Sequence, residues 1–178
     1  MKKYLVQFRP FLLFVSIFFL TYIVLTLLYK LYLNSYQAND LDGISMITGA
    51  NTEQLLQFFN YDISIQKSIQ DPWLKIIINE KYVARITEGC NAVSVMILFV
   101  SFVAAFSGKF KKTLLFILFG LISIYILNVI RIAFLTVLVF YFPAQNDFLH
   151  GIVFPLIIYG YVFVLWIFWI NKFSKYAK

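Results

Sequence analysis

A chain of 178 residues that is 62% hydrophobic and only 13% charged lacks the surface chemistry of a soluble domain. Its formal charge of +7 does not mark a nucleic-acid binder, because the charges are segregated. All eight acids fall in the segment 34–91 and a short loop near residue 147, whereas nine of the fifteen bases sit in three acid-free clusters at 2–9, 109–112 and 172–178. That is the positive-inside asymmetry of a polytopic membrane protein. The expected class is therefore an all-α integral membrane protein, a single membrane domain over 1–178, with four transmembrane helices and a small extracytoplasmic segment.

A short basic tail, residues 1–10, precedes an apolar run over 11–33. The run is too long for the h-region of a signal peptide, and no small-x-small cleavage site follows it. It is expected to be an uncleaved first span, with Lys30 snorkelling near its far end. Residues 34–91 form the only sizeable polar segment. Within it, 51–59 carries an N-cap candidate and apolar residues at helical spacing, which predicts a short amphipathic helix along the membrane. From Asp62 the residues alternate as a strand does, and Pro72 punctuates. Two further β-rich runs, 73–78 and 81–86, flank Asn79-Glu80 as a possible hairpin. The segment is too small for a core of its own and is expected to cap the helices.

The remaining spans are expected at 92–108, 113–142 and 151–170. The third exceeds what a bilayer needs, so it tilts, bends near Asn128–Arg131 or protrudes. Pro143 ends it, and Pro155 is placed to bend the first turns of the last span. With basic tails at both ends, four spans put both termini in the cytoplasm and 34–91 outside.

Arg131 is the one formal charge between Thr113 and Phe142. A guanidinium cannot shed its proton to escape a low-dielectric site, and keeping it in a lipid-facing helix costs about 2.5–3.5 kcal/mol on the lenient scale. Asn128, three residues earlier on the same face, can bond a neighbour or orient it. At 1.5 Å per residue Arg131 lies about 27 Å above Thr113, the depth expected for the only cysteine, Cys90, and the only histidine, His150. A thiolate is the nucleophilic form of cysteine and is favoured by a nearby cation. An imidazole can take and return a proton, and a guanidinium can stabilise an oxyanion. Together these residues suit acyl transfer through a thioester. A non-catalytic assembly factor or small-solute carrier, with Arg131 binding an anion, is the alternative. A metal site is disfavoured because one cysteine and one histidine lack partners at ligand spacing, and no cofactor is expected.

Glu88-Gly-Cys90-Asn-Ala, then Asn128-Val-Ile-Arg131-Ile, then His150 ahead of an apolar helix resemble the three signature stretches of the exosortase/archaeosortase family. The small size and single outer segment are most similar to the compact exosortases of Bacteroidetes-type bacteria. The resemblance implies a multispanning cysteine transpeptidase of the bacterial inner membrane, with Cys90 as nucleophile, Arg131 as oxyanion or thiolate stabiliser, His150 as acid/base and Asn128 in support. Its partners would be exported proteins bearing a C-terminal sorting signal, and membrane lipid; nucleic acid is not implied. The chain departs from the family in having fewer spans than larger members, and Asn91-Ala92 where small serine or glycine residues often follow the cysteine.

The orientation is testable with single cysteines in a Cys90→Ser background. An impermeant reagent is expected to mark positions within 40–80 in intact cells and positions 109–112 only after permeabilisation. Labelling of 109–112 in intact cells would invert the topology.

Overall fold

The computed structural model describes residues 8–37, 40–68, 71–106 and 108–173. The basic residues at 2–3 and 175–178 lie outside the described residues. Five helices, α1 (Arg9–Leu33), α2 (Gly43–Phe58), α3 (Val93–Ala105), α4 (Phe110–Tyr141) and α5 (Phe154–Lys172), frame three strands, β1 (Ile63–Lys67), β2 (Leu74–Ile78) and β3 (Lys81–Ile86). The backbone stays helical through a run of short turns from Pro143 into α5.

The long helices are apolar on nearly every side, as they must be where only internal hydrogen bonds can satisfy the backbone. Three are long and apolar enough to cross a membrane: α1, α4 and the continuous Pro143–Lys172 stretch. The expected span at 92–108 is α3, of 13 residues, or about 20 Å against a hydrocarbon core of about 30 Å. It loses one residue at its start, where Ala92 sits at φ 64° before the first helical turn, and three at its end, where the backbone leaves the helical conformation at Phe106. Helix α3 is the inner helix of the bundle. Phe99 and Val103 are fully buried among Phe116, Ile124, Val162 and Trp169. Phe14 of α1 packs on α3's Phe102 edge-on at 5.9 Å, and Phe102 stacks on Trp166 of α5 at 4.1 Å.

The polar segment folds as a cap. Helix α2 begins at Gly43, eight residues before the expected start, because Asp42 is the true N-cap: its carboxylate accepts from the Ser45 N–H at 3.0 Å and the Ser45 hydroxyl at 2.6 Å. Two glycines and several β-branched residues hid that first half from a propensity reading. Tertiary packing supplies what propensity lacks, since Ser45, Thr48, Gly49, Thr52 and Leu56 form one buried stripe. The Thr48 and Thr52 hydroxyls are satisfied by carbonyls four residues back. Helix α2 therefore packs on β1 and α4 rather than lying free on a membrane.

Three strands form, one more than a hairpin, in the antiparallel order β1-β2-β3. Asn79 (φ 48°) and Glu80 (φ 63°) both adopt the left-handed conformation, the geometry of a two-residue turn whose twist matches the strands it joins. The inward residues Ile63, Leu74, Ile76, Ile78 and Ile86 close over Leu41 and Leu56 and rest on Ile132 and Ala133 of α4. The cap thus sits on the helical turn that carries Arg131.

Gly120 of α4 is where the bundle is tightest. A Cβ there would stand 2.2 Å and 2.3 Å from two ring atoms of Phe99, and that ring is fully buried against Phe116. Gly120→Ala is expected to cost about 1–3 kcal/mol by overpacking, read as a lower thermal midpoint in detergent. Adding Phe99→Leu is expected to recover part of the loss; a neutral Gly120→Ala would mean that the contact is loose.

Candidate functional site

The chain leaves β3 at Ile86 and passes through one tight turn, Glu88–Cys90, before α3. The turn is closed by Cys90 N–H to the Thr87 carbonyl at 2.9 Å and Asn91 N–H to the Glu88 carbonyl at 3.3 Å. Left-handed Ala92 follows, a conformation costing of order 1–3 kcal/mol for a non-glycine residue and kept only where the surroundings impose it.

Those surroundings are a chain of side-chain hydrogen bonds. The Tyr29 hydroxyl of α1 donates to Glu88 Oε1 at 2.6 Å and accepts from Asn91 Nδ2 at 2.8 Å. Asn91 Nδ2 also reaches the Ser45 hydroxyl at 3.2 Å, while its Oδ1 accepts from the Val93 N–H at 3.0 Å. From α4, Asn128 Nδ2 donates to the Cys90 carbonyl at 2.7 Å. The cysteine turn is thereby tied to α1, α2, α3 and α4 at once. The thiol itself is left lightly engaged, 3.7 Å from the Thr87 hydroxyl.

Arg131 stands nearly one turn beyond Asn128 on α4. Among the described residues the one ion pair within 4.0 Å joins Lys67 to Asp40, so no structural salt bridge accounts for the arginine. Its Nε is buried with no hydrogen-bond partner among the described residues, and its side chain shares a cavity wall with Cys90.

His150 lies on an unusually wide helical turn, Leu149–Val153, in which the Phe154 N–H bonds five residues back to the Leu149 carbonyl. Pro155 is the local cause we identify: lacking an N–H, it cannot bond the Gly151 carbonyl four residues back. Wide turns of this kind recur at functional sites because they re-aim one side chain. His150 is exposed.

Cys90, Arg131 and His150 line one cavity of about 550 Å³ between β3, α4 and the 146–151 turn, with Thr136 and Asp147 also on its wall. That volume suits a peptide segment or a small molecule. Asn128 stays behind the wall, buried, acting on the cysteine's backbone. A second cavity of about 630 Å³ lies across the Thr87–Gly89 backbone, beside Asp40, Asp42 and Trp73, and contains none of these four residues. Sequence reasoning missed Tyr29, Ser45 and Asn91, which hold the turn. Asn91 adjoins the cysteine and offered a signal; Tyr29 and Ser45 are 62 and 46 residues distant from it, and no spacing rule links them.

A bundle of membrane helices that holds a thiol, a guanidinium and an imidazole on one cavity beneath a small β cap is a membrane protein with a candidate thiol site. The family model of the transmembrane exosortases (Exosortase_EpsH) matches residues 6–171, and the chain belongs to that family. No curated protein and no solved structure matches it.

Tyr29→Phe removes one hydroxyl, leaving Glu88 Oε1 without its donor and Asn91 Nδ2 with only the longer bond to Ser45. A loss of about 1–3 kcal/mol is expected from leaving half-buried polar groups unpaired, measured as unfolding in detergent. Asn91→Ala added to Tyr29→Phe should be markedly non-additive, as for members of one network. Simple additivity would show that the two residues act separately.

Proposed function

We propose that the protein is a membrane-embedded cysteine transpeptidase or peptidase that cleaves C-terminal sorting signals of exported proteins at the outer face of a bacterial inner membrane. The chain would cross four times, with α3 the short crossing and both termini inside. The observation that carries the reading is the meeting of Cys90, Arg131 and His150 on one cavity, in a chain whose family match spans all three residues.

In the first step Cys90 Sγ attacks the carbonyl carbon of the scissile peptide bond while His150 takes the thiol proton. The oxyanion that develops faces the guanidinium of Arg131 on the cavity wall, a fixed cationic donor for it. Collapse breaks the C–N bond, and His150 returns the proton to the departing amine. The product is a thioester on Cys90. An acceptor amine or water then attacks the thioester, gives its proton to His150 and expels the thiolate, which is reprotonated. Asn128 is a positioning residue, since it holds the Cys90 carbonyl and not the reacting atoms.

In a strain carrying Cys90→Ala, membrane proteins ending in a short motif, an apolar helix and a basic tail are expected to accumulate uncleaved; Cys90→Ser behaves alike. Arg131→Lys is expected to be nearly as damaging as Arg131→Ala, each lowering processing by about 10²–10³ as for loss of an oxyanion donor, because a point-charge ammonium does not reproduce the planar fork. Full processing in Cys90→Ala would leave the carrier or assembly role as the better account. Rescue by Arg131→Lys would reduce the arginine to simple charge.

A further inference from the structure

The two edges of the sheet are finished differently. At the β1 edge the Ile65 N–H, directed away from β2, is taken by Glu53 Oε1 of α2 at 3.0 Å. At the β3 edge no further strand follows among the described residues, and the neighbour is the cavity that holds Cys90. Five consecutive residues of β3, from Tyr82 to Ile86, line that cavity. Side chains alternate between the faces of a strand, so a cavity against one face meets every second residue. This one meets five in succession and also Ile76 of β2, so it reaches the inner face of the sheet and continues round the β3 edge, where alternate N–H and C=O groups are directed away from β2. The ladder to β2 steps from Ile76↔Ala84 to Ile77↔Tyr82, so Val83 is a bulged residue that β2 leaves unpaired. Cys90 follows the end of this strand by four residues.

A substrate segment that emerges from an apolar helix has to unwind before a thiol can reach its carbonyl, and each unwound residue then lacks a partner for its backbone groups. An open strand edge supplies those partners. We propose that the substrate segment containing the scissile bond binds as a fourth, extended strand on the free edge of β3, which presents one of its carbonyls to Cys90. The proposal rests on the enzymatic reading above and adds how the substrate is held. Five residues of strand guide about 17 Å of extended peptide. Main-chain bonds supply affinity, and Asp147 on the cavity wall faces the side chains of the bound segment.

The test uses full-length protein in native membranes, in the Cys90→Ala background, with one cysteine at Tyr82 or Arg85, both exposed and remote from the packed core. The probe is the precursor that accumulates in the Cys90→Ala strain, with a single cysteine walked through the ten or so residues before its apolar helix. Directly opposed strand residues bring Cβ atoms to about 4.5–5.5 Å, so oxidation should give disulfides at every second precursor position, severalfold above the positions between. A repeat of three to four positions, crosslinking through Thr136→Cys on α4 in place of β3, a Tyr82→Cys disulfide between two copies of this chain in place of precursor, or no crosslink to β3 would each overturn strand addition. The enzymatic reading stands or falls separately, on whether a precursor accumulates in the parent strain at all.

Discussion

The hydrogen bond from Asn128 Nδ2 to the Cys90 carbonyl, 2.7 Å long, is the joint on which the site depends. The buried stripe of α4 runs Phe116, Gly120, Ile124, Asn128, Ile132, Thr136. Phe116 and Ile124 belong to the bundle core, Ile132 to the core under the cap, and Asn128 sits between the two. A polar group at that border has to be satisfied or it destabilises both cores. The Asn128 amide nitrogen is satisfied by the carbonyl of Cys90, the candidate nucleophile, while its Oδ1 is buried without a partner among the described residues. Fixing that carbonyl to α4 fixes the thiol relative to Arg131, three residues further along the same rigid helix.

The cap follows from the same constraint. A turn ending in left-handed Ala92 is uphill, and an isolated connection of this length would relax out of it. Here the turn is clamped from α1 by Tyr29, from α2 by Ser45 and from α4 by Asn128. Ser45 is in turn held by Asp42, the residue that starts α2. The helix start, the cysteine turn and the membrane bundle are therefore joined by side-chain hydrogen bonds, and such buried networks hold their members in one arrangement.

The membrane class, the long helices, the strand pairings around Asn79-Glu80 and the convergence of Cys90, Arg131 and His150 were all legible in the sequence. Each rests on a local or scalar signal: apolar length, alternation, a lone charge, and depth counted along a helix. What was not legible needed tertiary information. The first half of α2 reads as poor helix and exists because a sheet packs on it. The extent of α3 was overestimated because hydropathy does not register that the apolar Ala92 is left-handed and that the helix already ends at Phe106. The wide turn under His150 also escaped: Pro155 forecast a local bend, but not a changed hydrogen-bond period five residues upstream.

The placement of the site at the junction of bundle and cap has a physical logic. A thiol, an imidazole and a guanidinium buried in the hydrocarbon would have to be desolvated before any substrate arrived, a cost that rises steeply for fixed charge. In open water the same groups would lose the low dielectric that makes an oxyanion donor effective. The cavity combines the half-buried Arg131 of α4, the exposed His150 and a wall formed by β3. A strand is the suitable wall for such a place. Helix backbones are internally satisfied and offer a neighbouring chain only side chains, whereas an edge strand offers hydrogen-bonding groups to any chain that has just left its own helix. A fold that was helical throughout could position the three side chains, but under the proposed reaction it would give a substrate unwinding from a membrane helix no backbone partner to replace the one it had left.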